Sequence, residues 1–246
     1  MNRYGEVFAG FYDRYFGDYA ENTAPRLLYF LSTYTSARQH SKVLDLGCGT
    51  GRLAQRMLEA GYSLTGIDLS PDMIELSRKR CRAIPVMEEA HFYQADISHF
   101  HLDDRFDFAV STYNVMNHLM DDAKLSGCMG SVRECLAERG LFLFDYNTRK
   151  GLAEWVSTEH FRLKEGEVDV EGGFDPRTGK AVTKLSGVFE ERTFQETIQN
   201  FAVPLSRLAD LLRDKGFQKI RFSRIDDLRK DLSDPESEKR IVVLAS

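Results

Sequence analysis

Asp45-Leu46-Gly47-Cys48-Gly49-Thr50-Gly51 places three glycines directly after a short apolar run, Val43 to Leu46. Glycine lets a backbone turn sharply and lets a ligand approach with no Cβ in the way. Asp68 lies 23 positions beyond Asp45, at the end of the next apolar run, Leu64-Thr65-Gly66-Ile67. A carboxylate at the tip of a second strand, beside the glycine turn, can accept hydrogen bonds from both hydroxyls of a ribose. Such an acid can also simply cap a helix or sit in solvent, but its pairing with the glycine turn favours the ribose.

Ribose recognition alone does not distinguish two common adenosine cofactors. A dinucleotide fingerprint wants a third glycine at position 52, where this chain has Arg52. An acid at Asp45 would repel a pyrophosphate, whereas the methionyl ammonium of S-adenosylmethionine (SAM) is a cation it can hold, directly or through water. These details favour SAM over NAD.

The elements that must position these residues follow from periodicity. The chain reads as strand, turn, helix, repeated from residue 43: a helix with Leu53, Met57 and Leu58 on one face closes at Gly61, and Ser70-Pro71 opens the next as cap and first helical residue. Phe92-Tyr93 leads to Asp96, Phe106 to Thr112 is a buried strand, a helix runs from Leu125 to before Gly140, and Leu141 to Asp145 is a fifth strand. Apolar strands alternating with amphipathic helices predict an α/β fold, doubly wound around a mostly parallel seven-stranded sheet. Ahead of it, Tyr4, Phe8, Phe11, Tyr12, Tyr15 and Phe16 recur with helical period, and a second helix is expected with Asn22-Thr23 as its cap region and Pro25 near its first turn. The alternation stops between about 155 and 203, where strand-like runs flank the turn Asp175 to Lys180. This predicts an antiparallel β insert of about three strands after the fifth sheet strand. A helix through Leu205, Leu208 and Leu212, then strands near 217–222 and 241–244 around a charged loop from Asp226 to Arg240, complete one domain over 1–246. Its first 35 residues form a helical cap.

The 246 residues carry a net charge of −5, which argues against a nucleic-acid partner. No apolar run of membrane-spanning length and no signal-peptide pattern is present, so neither a membrane partner nor secretion is expected and the expected location is cytoplasmic. Cys48, Cys81, Cys128 and Cys135 show no metal-ligand spacing and are read as reduced thiols; no metal is expected. His91, His99 and His101 are read as loop residues.

The segment Val43 to Ala54 resembles motif I of the class I SAM-dependent methyltransferases, Asp68 the acidic end of their second strand, and Ala95-Asp96-Ile97 their adenine-binding motif. Phe106-Asp107 to Leu119 resembles their fourth strand and following loop. Tyr4-Gly5 with Phe11-Tyr12-Asp13, the run Phe144 to Thr148, and the insert resemble a small-molecule subgroup that includes amino-sugar N,N-dimethyltransferases and glycine/sarcosine-type N-methyltransferases. The resemblance implies that Asp45, Gly47, Cys48, Gly49 and Gly51 cradle the cofactor. Asp96 and the Ile97 N–H would meet adenine, Leu69 and Met73 pack on its faces, and Asn114 lie near the methyl end. Met73 reads equally as helix core.

Methyl transfer to a small molecule needs alignment, and a base only when the acceptor arrives protonated. Tyr12, Tyr113, Asn117 and His118 are the candidates; Tyr12, in the helix that folds over the cofactor in this family, and His118, after the fourth strand, are chosen as catalytic. An ordinary core tyrosine and a surface histidine are the plainer readings. The subgroup often has tyrosine where His118 stands. The acceptor is expected to be an amine nitrogen. The alternatives are O-methylation of a small hydroxylated metabolite, an NAD-binding oxidoreductase and a non-catalytic SAM-binding protein. The insert is expected to cover the acceptor side and to offer a homodimer contact.

Overall fold

The computed structural model describes residues 4–34, 41–84 and 90–246. Strands β1 (Lys42–Leu46), β2 (Ser63–Asp68), β3 (Ala90–Gln94), β4 (Phe106–Ser111) and β5 (Leu136–Asn147) are mutually parallel. With β10 (Ile220–Ser223) and β11 (Arg240–Ala245) they make a seven-stranded sheet in the order β10-β11-β5-β4-β1-β2-β3, in which β11 runs antiparallel to both neighbours.

Apolar alternation along each strand feeds two cores. Leu44, Leu46, Phe142 and Phe144 face Leu125, Met129 and Val132 of α5 (Asp122–Cys135) and Leu208 and Leu212 of α6 (Leu205–Asp214). Val43, Phe108, Leu141 and Leu143 face Leu27 and Leu31 of α2 (Asp18–Thr33), Leu53 and Met57 of α3 (Arg52–Glu59) and Ile74 of α4 (Pro71–Cys81). Each buried side chain of this size contributes about 1.5–3 kcal/mol, so burial on both faces dominates the stability of the sheet. The order reverses beside β1, and ligands of open α/β sheets bind at the carboxyl ends of the strands there.

Several sequence expectations are corrected. Helix α2 begins at Asp18, so Asn22-Thr23 is not its cap and Pro25 lies in its interior. Gly17 between α1 (Glu6–Phe16) and α2 has helical dihedrals, and the Arg52 guanidinium occupies the place of its missing Cβ, so the two helices nearly join. α5 stops at Cys135 and β5 starts at Leu136, pairing with β4 across a register shift between Phe106 and Phe108. His91 lies in edge strand β3, paired with Thr65, and not in a loop.

The insert has four strands: β6 (Thr158–Leu163), β7 (Gly166–Asp175), β8 (Lys180–Phe189) and β9 (Arg192–Phe201), in a separate antiparallel sheet of that order. One face of this sheet offers Val168, Leu185, Phe189 and Phe194 to Phe8 and Phe11 of α1, with Phe11 and Phe194 ring centroids 4.8 Å apart. The insert therefore carries α1. Among the described residues no helix is long and apolar enough to cross a membrane, and all four cysteines are buried and free.

Candidate functional site

The glycine turn is tied to β2: the N–H groups of Gly47 and Cys48 donate to Ile67 O at 2.8 and 3.0 Å. All three glycines have positive φ, between 54° and 78°, but their reasons differ. A Cβ on Gly47 would strike Val115, and one on Gly51 would lie 2.9 Å from Ser77 Cα, so these two let neighbouring elements close up. A Cβ on Gly49 would meet no protein atom within 4 Å, because Gly49 faces a cavity. Cys48 and Gly51 stand apart from that cavity; the Cys48 thiol packs in the core beside Gly66, where burial pushes its pKa up.

The cavity, of about 350 Å³, opens at the carboxyl ends of the strands. It brings together Gly47, Gly49, Asp68, Leu69 and Met73 on one side and Asp96, Ile97 and Asn114 on another, with Tyr12 and His118 completing the wall. Asp68 accepts from Gly49 N at 2.9 Å through Oδ2 and from Ser70 N at 2.9 Å through Oδ1. Each oxygen keeps lone pairs for a further donor, as a ribose diol requires. Burial raises the Asp68 pKa above the usual carboxylate value, and backbone donation from Ser70 and Gly49 opposes it. Ser70 caps α4, its hydroxyl accepting from Met73 N at 3.2 Å, which sets Met73 against the cavity.

Asp45 is 2% exposed, and its Oδ2 has no hydrogen-bond partner. It lines a smaller adjoining cavity together with Tyr12, Gly47 and Gly49. Burial, and then the charge of Asp68, push its pKa up to about 7. An orphaned buried carboxylate oxygen fits a cationic partner such as the methionyl ammonium. Without ligand, stability from this group is greatest below 3.8 and declines as pH rises towards 7, since the folded state holds the proton that the unfolded state releases. An arriving ammonium reverses that preference. S-adenosylhomocysteine (SAH) affinity is therefore expected to fall as pH drops below about 7, with proton release on binding near neutrality. Calorimetry at pH 6.5 in two buffers of different ionisation enthalpy reads this directly. Asp45→Asn should remove the buffer dependence, and a wild type showing none would take Asp45 out of the ammonium site.

Helix α1 is fastened over the turn by one acid. Asp13 Oδ1 accepts from Thr50 Oγ1 at 2.6 Å, Arg52 Nε at 2.9 Å and Arg80 Nη2 at 2.6 Å. Burial opposes the charge, but donation from Arg52 and Thr50 and the two guanidinium charges outweigh it, and the Asp13 pKa sits below its usual value. Arg52, where a dinucleotide fingerprint would have glycine, thus holds the helix that presents Tyr12. The Tyr12 ring packs among Tyr4, Phe8, Phe16 and Tyr113. Burial, and then Tyr113, Tyr4 and the nearby acids, raise its pKa well above the ordinary value, so Tyr12 stays a neutral phenol.

Tyr113 and Asn114, two and three residues past β4, take the left-handed conformation, at φ 66° and 53°. A conformation costly for residues with a Cβ needs support from its surroundings. Asp145 on β5 supplies it, accepting from Tyr113 N at 2.9 Å, from Asn114 N and from the Tyr19 hydroxyl. Arg240 on β11 lies 3.9 Å from Asp145, donates to Asn114 Oδ1 at 3.0 Å and Asn147 Oδ1 at 2.8 Å, and stacks on Tyr19 and Tyr113. Sequence reasoning ended the charged loop at Arg240 and singled out Asp145 only within a family run. The signal available was Asp145 itself, an acid directly after the apolar run Leu141 to Phe144. Asn117 is corrected from a chemical candidate to a tie: fully buried, it donates to Asn147 O and Phe201 O and accepts from Asn147 N. His118 Nδ1 lies 3.1 Å from Gln199 O. A carbonyl only accepts, so Nδ1 carries the proton and Nε2 is the basic nitrogen.

A glycine turn, a ribose-type acid and an orphaned buried carboxylate at the switch point of a doubly wound sheet define an adenosine-cofactor α/β domain. Residues 43–140 match the family described as a methyltransferase domain. A protein of Geobacillus sp. (strain WCH70) named as a methyltransferase is 33% identical over 112 residues, 45% of this chain and 44% of that one. The dTDP-3-amino-3,4,6-trideoxy-alpha-D-glucopyranose N,N-dimethyltransferase of Streptomyces venezuelae is 26% identical over 143 residues, 57% of each chain. The chain thus spans about half the length of these curated relatives. The solved CcbJ methyltransferase of Streptomyces caelestis superposes with a TM-score of 0.81 at 17% identity, over 99% of this chain and 97% of that one. Over residues 43–140 the chain is thus similar to a methyltransferase domain, and over its whole length it shares the fold of the solved CcbJ methyltransferase.

Proposed function

We propose that the chain transfers the methyl group of SAM to the nitrogen of a small-molecule amine. The observation that carries this reading is the cavity wall: Tyr4, Tyr12, Phe16 and Tyr113 present aromatic surface, with His118 in the same wall. Aromatic faces favour a cation, whether a sulfonium or an ammonium. The Streptomyces venezuelae relative named as an N,N-dimethyltransferase supports nitrogen as the target. The net charge of −5 supports a small molecule over nucleic acid, with no membrane partner in the proposal. Pairing of two copies through the insert belongs to it as well, supported by the open edge of β6.

When bound, SAM supplies an activated methyl group for in-line displacement. The chain's residues then have three tasks. Asp45, Gly49, Asp68 and Asp96 would hold the cofactor. Helix α1, fastened by Asp13, excludes water. His118 Nε2 takes the proton that an ammonium must lose before its nitrogen has a lone pair, since an aliphatic amine with pKa of about 10 arrives protonated at neutral pH. Tyr12, held as a neutral phenol, orients the acceptor or the sulfonium and is not the base.

A screen of amines and hydroxylated metabolites with labelled SAM tests the target atom; product methylated only at oxygen would overturn nitrogen. With an acceptor in hand, His118→Ala is expected to lose on the order of 10²–10⁴-fold in kcat/KM and to flatten the acid limb of the pH–rate profile. Tyr12→Phe should lower the rate without moving that limb. If both variants keep the wild-type profile from about pH 6 to 9, around the ordinary imidazole value of about 6.5, neither residue takes part.

A further inference from the structure

We infer that Asn200 reads the methyl acceptor: its amide donates to an oxygen that the acceptor carries on a carbon near the reacting nitrogen. This rests on the amine reading above. Asn200 lies on β9, is 2% exposed, lines the main cavity, and its Nδ2 has no hydrogen-bond partner. Buried polar groups are nearly always bonded, because leaving a donor unmade forfeits its hydration with no return. An unmade donor at a cavity wall is therefore a place for a ligand oxygen.

The surroundings make the donor directional. Ile198 and Asn200, two apart on the strand, both line the cavity. The chain on either side of Asn200 is pinned: Gln199 O is bonded to His118 Nδ1 at 3.1 Å, and Phe201 O accepts from Asn117 Nδ2 at 2.9 Å and from the Tyr146 hydroxyl at 3.3 Å. The amide thus sits one residue from the carbonyl that orients the base. Ile198 beside it offers nothing to a polar group. An acceptor whose nitrogen is deprotonated by His118 therefore has its neighbouring oxygen within the ambit of Asn200. The acceptor class is an amine with a vicinal or nearby hydroxyl, ether or carbonyl oxygen, and not a plain alkylamine. A site built to bond such an oxygen rejects the analogue without it strongly, since the buried donor then stays unpaired.

The test compares trans-2-aminocyclohexanol with cyclohexylamine, both as ligands of the SAH-loaded protein by calorimetry and as substrates with labelled SAM. Wild type is expected to prefer the amino alcohol by at least about tenfold in both readouts. Asn200→Leu should erase that preference, mainly through Kd and KM, and leave SAH affinity unchanged. Equal affinity of wild type for the two amines, binding of neither, or a preference that survives in Asn200→Leu overturns the inference. A preference that Asn200→Leu erases, without any N-methylated product, supports the role of Asn200 and overturns the amine reading instead.

Discussion

Asp145→Ala is expected to lower the unfolding free energy by about 3–5 kcal/mol, the cost of breaking a buried ion pair by removing one partner. Three losses combine. The half-buried Arg240 guanidinium stays against the Tyr19 and Tyr113 rings with its carboxylate gone. The N–H groups of Tyr113 and Asn114 lose their acceptor. The left-handed dihedrals at these two residues then stand unsupported, at a cost of about 1–2 kcal/mol each. Because Asn114 and Val115 line the cavity, SAH affinity should fall with stability. Asp145→Asn, which keeps one acceptor oxygen and loses the charge, should fall between. Denaturant unfolding with and without SAH measures both effects, and a loss below about 1 kcal/mol in Asp145→Ala would show that the turn stands without its acid.

Asp68→Ala should weaken SAH binding at least about tenfold, since each hydrogen bond to a charged group is worth about 1.5–3 kcal/mol. Gly49→Val should be worse, combining backbone strain at φ 54° with a branched side chain in space the cofactor needs. The comparison with Gly51→Ala separates binding from folding. A Cβ at Gly51 lies 2.9 Å from Ser77 Cα, so this variant is expected to unfold more easily. A Cβ at Gly49 meets no protein atom within 4 Å, so Gly49→Val should lose stability only through its backbone strain, while calorimetry no longer detects SAH. Unchanged affinity in Asp68→Ala would remove Asp68 from the ribose site, and unchanged affinity in Gly49→Val would show that the cofactor runs elsewhere.

The sheet and the glycine-turn side of the cavity were legible in the chain because their causes are local. Alternation in Val43 to Leu46 and Phe106 to Ser111 reports burial on both faces, and Ser70-Pro71 or Gly61 act within a residue or two of where they stand. The glycine turn and Asp68 belong together since β1 and β2 are adjacent in sequence and in the sheet. Even there the chain could not say that Gly49 faces the cavity while Gly51 makes room for Ser77, which depends on the neighbour each meets.

Long-range pairing decided the rest. Asp145 and Arg240 are 95 residues apart and become one device only because β11 inserts antiparallel beside β5. The insert's role in carrying α1 depends on Phe11 meeting Phe194, and the tautomer of His118 on a carbonyl 81 positions away. Asn200 has no motif at all: in sequence it is one polar residue in a half-polar strand, and only burial without a partner marks it. Local periodicity encodes which face of an element is apolar, and so determined the sheet and its glycine turn. Contacts between distant segments carry no sequence period, so the far wall of the cavity was decided only when the chain folded.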